Sequence, residues 1–328
     1  MARWKTAEGK KVTRYIGTSG NIQGIPLDAE YFSVGCGHCI ACRLSKSKDW
    51  ANRMTLEAMY HSSCFFLTLT YDDAHLPEQH LQKNGDISPI HSLNKKHFQD
   101  FMKRLRWKFR DVEIRYYACG EYGEKSMRPH YHAIIFGLPL DRLGDAIYSG
   151  CSSGFKVFAY TELSKLWVFG NHIVAEANWQ TMAYTSRYIT KKQFGIGSKI
   201  YEELGYIPEF SLMSRKPGIG KIWLDASRYS VLDDKAIYIP GKGKQPIPRY
   251  FKEKLKDICY FCDVDGVINP TDEALWLEFD DWLRDVGFHQ YCEQQMKLDQ
   301  TTLTYSEVLE NTQYAHEQVA SSLGRKGV

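Results

Sequence analysis

The stretch Arg128-Pro129-His130-Tyr131-His132-Ala133-Ile134-Ile135-Phe136-Gly137 constrains the fold of this 328-residue chain more than any other. Its four consecutive apolar residues, closed by a glycine, read as a buried strand, so the chain must build a covered sheet around it. Successive side chains on a strand alternate, which puts His130 and His132 on one face and Tyr131 on the other, toward the core. Two imidazoles side by side are a start on a divalent-metal site that still needs a further ligand.

The flanking sequence supplies partners. Cys64-Phe65-Phe66-Leu67-Thr68-Leu69-Thr70-Tyr71 is rich in aromatic and β-branched residues and is stopped by Asp72-Asp73, which predicts a second strand. Residues 112–119 predict a third, joined to the histidine strand by the glycine-containing stretch 120–126 as an antiparallel hairpin. That hairpin brings Glu121 or Glu124 near the histidines, giving a three-ligand set with open positions for Mg²⁺ or Mn²⁺. A short helix over 161–167 and a strand over 172–177 follow; the stretch between Gly137 and 161 shows no clear element. In the helical pattern from Met182 to Lys192, Tyr184 and Tyr188 are four residues apart and so share a face. Each has a cation three positions on, Arg187 and Lys191. Phenols are poor nucleophiles near their usual pKa of about 10, and a nearby cation or metal ion favours the phenolate.

Charge and cysteines add two expectations. The net charge is +3, but residues 270–328 carry 11 Asp/Glu against 4 Lys/Arg, so the body is basic and fits a polyanion partner. Much of this charge sits on a helix expected over 94–110. There Phe98, Phe101, Met102, Leu105 and Phe109 form an apolar stripe, and Lys95, Lys96, Lys103, Arg104, Arg106, Lys108 and Arg110 face only Asp100. This predicts a phosphate-facing surface. A second basic helix is expected over 42–60. It is preceded by Cys36-Gly37-His38-Cys39-Ile40-Ala41-Cys42, whose x2 spacings suit zinc. Cys259 and Cys262 would complete the site from far along the chain, or Cys42 and His38 would complete it locally. No apolar run is long enough to span a membrane and the N-terminus lacks a signal-peptide core, so an intracellular, soluble protein is expected.

The order Glu121, His130-Tyr131-His132 with its apolar run, then Tyr184-x3-Tyr188-x2-Lys191 resembles the motif set of the HUH rolling-circle replication initiators. More closely, Cys36 to Arg43, Phe66 to Tyr71, Pro129 to His132, Tyr184 to Lys192 and Met213-Ser214-Arg215-Lys216-Pro217-Gly218-Ile219-Gly220 resemble the replication initiators of gokushovirus-type microviruses. The resemblance spans about residues 30–250. It implies an α+β fold, a ferredoxin- or RRM-like central antiparallel sheet with flanking helices; the element order β-α-β-β-α-β-α agrees. The expected organisation is an N-terminal extension over 1–60, the endonuclease core over 61–200, a basic extension over 201–268 and an acidic, mainly helical segment over 269–328.

The activity implied is nicking of single-stranded or melted origin DNA in the cytoplasm of a bacterial host. His130, His132 and Glu121 would bind Mg²⁺ or Mn²⁺. Tyr188, assisted by Lys191, would attack first and Tyr184 second, leaving a 5′-phosphotyrosine and a 3′-hydroxyl. Arg187, Lys192, Lys103, Arg104, Arg106 and Lys108 are the expected DNA contacts. Without a nucleotide-binding P-loop, unwinding and synthesis fall to a host helicase and DNA polymerase. The competing readings are a non-catalytic single-strand DNA-binding module, which leaves the paired histidines and tyrosines unexplained, and a transposase or relaxase of the same superfamily.

Overall fold

The structure is a computed structural model that describes residues 2–6, 8, 10–14, 23–31, 35–37, 39–123, 126–152, 154–187, 198–260, 270–303 and 305–325. Seven strands form its centre: β1 (Cys64–Thr70), β2 (Arg115–Tyr122), β3 (Pro129–Phe136), β4 (Ala146–Ser152), β5 (Phe155–Tyr160), β6 (His172–Glu176) and β7 (Phe210–Met213). Their order in the sheet is β7-β2-β3-β1-β6-β5-β4 and every neighbouring pair is antiparallel. The expected α+β fold with a central antiparallel sheet and flanking helices is what forms.

β3 lies inside the sheet between β2 and β1, and Ala133, Ile134, Ile135 and Phe136 are all fully buried. Alternation along it divides the interior in two. On one face Tyr131, Ala133 and Ile135 join Phe65, Leu67 and Leu69 beneath the stripe Phe98, Phe101, Met102 and Leu105 of α2 (Lys95–Lys108). On the other, Ile134 and Phe136 join Phe66, Tyr117 and Cys119 against α1 (Ile40–Ala58) and α4 (Trp179–Ser186), through Ala51, Met54, Met182 and Ala183. Each large side chain buried this way contributes about 1.5–3 kcal/mol. A one-residue slip of β3 would exchange the two sets, so the register is strongly specified. The histidines therefore face the α1 and α4 side.

The chain order β1-α2-β2-β3, then α3 (Thr161–Leu166), β6 and α4, matches the expected alternation with the hairpin β4-β5 inserted after β3. β4 is a sheet edge with Ile147 and Tyr148 exposed, so it lacks the alternating burial that marks a strand in sequence.

A third core joins Leu56 of α1 to α5 (Lys221–Asp234), α6 (Arg249–Tyr260) and α7 (Pro270–Asp299), with Leu224, Phe251, Trp276 and Phe279 buried. The acidic segment thus begins with side chains in the interior, and it continues as α8 (Tyr305–Arg325). The segment from Pro217 to Gly220 is fastened to α1. Buried Glu57 pairs with Arg115 of β2 and accepts the Gly220 N–H at 2.6 Å. Arg115 donates to the Pro217 carbonyl at 2.8 Å, and Arg53 donates to that of Ile219 at 3.1 and 2.9 Å. Gly220 has φ +80°, and a Cβ there would stand 2.8 Å from Phe251 Cζ, so only glycine fits without displacement. Among the described residues no helix is long and apolar enough to cross a membrane.

Candidate active site

The β2-β3 register pairs Glu121 with His130 directly and Cys119 with His132. Glu121 and His130 are therefore cross-strand neighbours, and His132 lies diagonally two residues on, on the same face. Glu121 Oε1 is 3.1 Å from His130 Nε2 and 3.2 Å from His132 Nε2. Glu124, the alternative third ligand, lies outside the described residues. Glu121 is 3 % exposed. Burial alone would raise its pKa, but hydrogen bonds from His130 and His132 and their charges hold it well below the usual carboxylate range.

Each imidazole is oriented from behind. His130 Nδ1 donates to the Arg128 carbonyl at 3.2 Å. A carbonyl only accepts, so in a neutral ring the bare Nε2 lone pair is turned toward the Glu121 oxygen, acceptor facing acceptor. That arrangement needs a cation or a second proton between the two atoms. Two ligands at right angles on an ion with bonds of about 2.1 Å stand about 3.0 Å apart, close to the spacings found here. The donor set fits a divalent metal ion. His132 Nδ1 is 2.8 Å from Thr68 Oγ1, and its ring stacks on Phe66 with centroids 5.3 Å apart. A hydroxyl both donates and accepts, so Thr68 holds the ring in either tautomer.

Tyr184 arrives from α4. Asn178 and Thr181 cap the start of that helix reciprocally, at 3.0 and 2.9 Å, and Ser186 at its end donates to the Ser47 carbonyl of α1 at 2.9 Å. Held at both ends, α4 presents the Tyr184 hydroxyl 3.3 Å from Glu121 Oε1 and 3.5 Å from His132 Nε2. Arg187 follows at the helix end; burial lowers its pKa and interaction with the Tyr184 phenol raises it. Beside the cluster is a cavity of about 290 Å³ with Thr68, Thr70, His130, His132 and Tyr184 on its polar side and Phe66, Val157, Ile173 and Ala175 on its apolar side.

His38, Tyr188, Lys191, Lys192 and Cys262 lie outside the described residues, as does the side chain of Cys259. Lys103, Arg104, Arg106 and Lys108 are described, but α2 covers the opposite face of the sheet from the histidines. Arg104 donates to the Leu166 carbonyl and Arg106 to that of Ile114; Lys108 pairs with Glu162 and Lys103 with Asp100. The structure does not bring these four to the cluster. Thr68 is the site residue that sequence reasoning passed over. Its signal was the polar alternation of Thr68 and Thr70 in an otherwise apolar, buried strand.

The family model for replication-associated protein ORF2 matches residues 64–193, the segment from β1 through the end of α4 and beyond. The chain is 32 % identical over 258 residues to the replication-associated protein ORF2 of Spiroplasma virus 4, covering 76 % of this chain and 77 % of that one. It is 30 % identical over 225 residues to the replication-associated protein VP4 of Bdellovibrio phage phiMH2K, covering 69 % and 68 %. It is 32 % identical over 236 residues to the replication-associated protein ORF4 of Chlamydia phage 1, covering 69 % and 54 %. No solved structure matches. A segment that supplies Glu121, both histidines and Tyr184, together with relatives matched over most of their length, assigns the chain to the ORF2 family of phage replication-associated proteins.

Proposed function

We propose that the chain is a replication initiation endonuclease of the HUH kind, which nicks the origin of a circular phage DNA through a tyrosine and later rejoins the ends. The observation that carries this reading is the convergence of Glu121, His130, His132 and Tyr184 on a single carboxylate oxygen. A phenol in that position supports transesterification over activation of water.

Glu121, His130 and His132 would hold Mn²⁺ or Mg²⁺; two imidazoles beside one carboxylate suit Mn²⁺ better than the oxygen-seeking Mg²⁺. The ion supplies positive charge beside a non-bridging phosphate oxygen. Tyr184 Oη attacks phosphorus, the P–O3′ bond breaks, and the phosphate remains on the phenol oxygen as a 5′-phosphotyrosine. The departing 3′ oxygen takes up a proton in place of the one the phenol gives up. One diester is exchanged for another, so no energy source is consumed, and attack by a 3′-hydroxyl on the phosphotyrosine closes the circle. Arg187 balances phosphate charge, and the apolar wall of Phe66, Val157, Ile173 and Ala175 shelters a neighbouring base. Because Tyr184 stands at the cluster, the first attack is assigned to it and the second cut to Tyr188, the reverse of the order read from Lys191. The freed 3′-hydroxyl primes host polymerase, with a host helicase opening the duplex.

Incubation with origin-containing single-stranded DNA and Mn²⁺ is expected to give a covalent adduct on a denaturing gel, with the DNA on Tyr184 by mass spectrometry. An adduct that persists in the Tyr184→Phe, Tyr188→Phe double variant, or cleavage unaffected by removal of divalent ions, would overturn the mechanism.

A further inference from the structure

Cys36, Cys39 and Cys42 lie away from the chemistry just described, at the point where α1 begins. Their three sulfurs all fall within 4.8 Å of one another, with Cys36 Sγ and Cys42 Sγ 4.0 Å apart. That is about twice a disulfide bond length of about 2.05 Å, and close to the roughly 3.8 Å between sulfurs that share a tetrahedral ion with bonds of about 2.3 Å. Sulfurs holding separate irons of a cluster stand farther apart, so the spacing favours one ion.

The backbone is arranged around the sulfurs as well. Gly37, between the first two cysteines, has φ +77°, and the Cys39 N–H donates to Cys36 Sγ at 3.2 Å. A Cβ on Gly35 would stand 3.0 Å from Cys42 Sγ, so the chain there approaches the sulfurs as closely as it can. Cys39 is the N-cap of α1, whose positive end favours thiolates. Among the described residues no fourth His, Cys, Asp or Glu joins the three.

We infer that Cys36, Cys39 and Cys42 bind one structural zinc ion that fixes the start of α1 and, through α1, the tyrosine helix. The link runs along α1 from Cys42 to Ser47, whose hydroxyl is 2.9 Å from that of Ser186 and donates to the Ala183 carbonyl at 3.3 Å. Three thiolates displace three protons on binding the ion, and the fourth position falls to a donor outside this trio.

The full chain, purified without chelator, is expected to contain one zinc per protein by elemental analysis. The zinc stays in a His130→Ala, His132→Ala double variant and in Cys151→Ala, and is lost in Cys36→Ser and Cys39→Ser. Should the cysteine variants fail to fold, cobalt substitution in the histidine double variant decides the matter, with sulfur-to-cobalt charge-transfer absorption expected in the near ultraviolet. Zinc removed by the histidine substitutions, iron in place of zinc, or a cobalt form without that absorption would overturn the site. Stripping the double variant of zinc is expected to speed amide exchange over 40–47 and over 179–186 by at least tenfold. Unchanged exchange over 179–186 would overturn the coupling to the tyrosine helix. None of these readouts depends on nicking, so they stand or fall apart from the proposed endonuclease.

Discussion

Oε1 of Glu121 accepts the hydroxyl of Tyr184 at 3.3 Å, and the same oxygen is the one both imidazoles reach. A strand carboxylate and a helix phenol, 63 residues apart in sequence, thus share one atom. Tyr184→Phe removes the hydroxyl but keeps the ring contacts to His132 and Phe66, at centroid distances of 5.0 and 6.3 Å. The variant is expected to melt within a few degrees of the parent while its first-turnover covalent adduct falls by at least about a thousandfold. Calorimetry and a single-turnover adduct assay check the two halves.

Thr68 Oγ1 stands 2.8 Å from His132 Nδ1, behind the ring, so it sets how that imidazole presents Nε2. Thr68→Val keeps the shape and removes the hydroxyl. Loss of such an orienting bond typically costs about ten- to a hundredfold in metal affinity. Mn²⁺ titration by calorimetry is expected to show that loss, with DNA binding in the absence of metal unchanged; unaltered Mn²⁺ affinity would remove Thr68 from the site.

Much of the site was legible in sequence because one strand carries it. The run from Ala133 to Phe136 placed β3 inside a sheet, alternation put His130 and His132 together, and the short connection fixed a hairpin that brings Glu121 opposite His130. The tyrosine helix was legible from spacing, but that Tyr184 reaches Glu121 depends on how α4 docks on α1, a long-range contact with no local signal. The basic helix misled for the opposite reason. Its charge was read correctly, but the face that α2 covers is decided by its apolar stripe, which turns it away from the histidines. Glu57 and Arg115 were invisible because each looks like an ordinary surface charge until the fold buries both.

The position of α2 makes its own prediction. Lys103 has a 77 % exposed side chain paired with Asp100, on the far face from the cluster. Lys103→Ala is expected to change cleavage by less than about threefold and to alter the salt dependence of DNA binding by at most about one unit of slope. Arg187→Ala, beside Tyr184, is expected to reduce cleavage far more. Equal losses in the two variants, measured across a salt series, would return α2 to the DNA path.

The last prediction concerns the ion pair that joins α1, β2 and the segment after β7. Burial works to raise the Glu57 pKa, but hydrogen bonds from His61, the Gly220 N–H and Arg115 lower it below its ordinary value. A carboxylate whose folded pKa is depressed stabilises the fold above its unfolded pKa of about 4.3, and that contribution is lost as pH falls through the lower folded value. Glu57→Gln leaves Arg115 buried without its counter-charge, a change that typically costs about 3–5 kcal/mol. The variant is therefore expected to melt well below the parent at pH 7, with the gap narrowing as pH is taken below 4. Replacing both partners, Glu57→Leu with Arg115→Met, removes the charges together and is expected to recover most of the loss, because the desolvation of two ions offsets their attraction. Thermal melts of parent, single and double variants at pH 7 and pH 3.5 distinguish these outcomes. A pH-independent gap for Glu57→Gln would show that the carboxylate's charge is not what binds Pro217–Gly220 to α1.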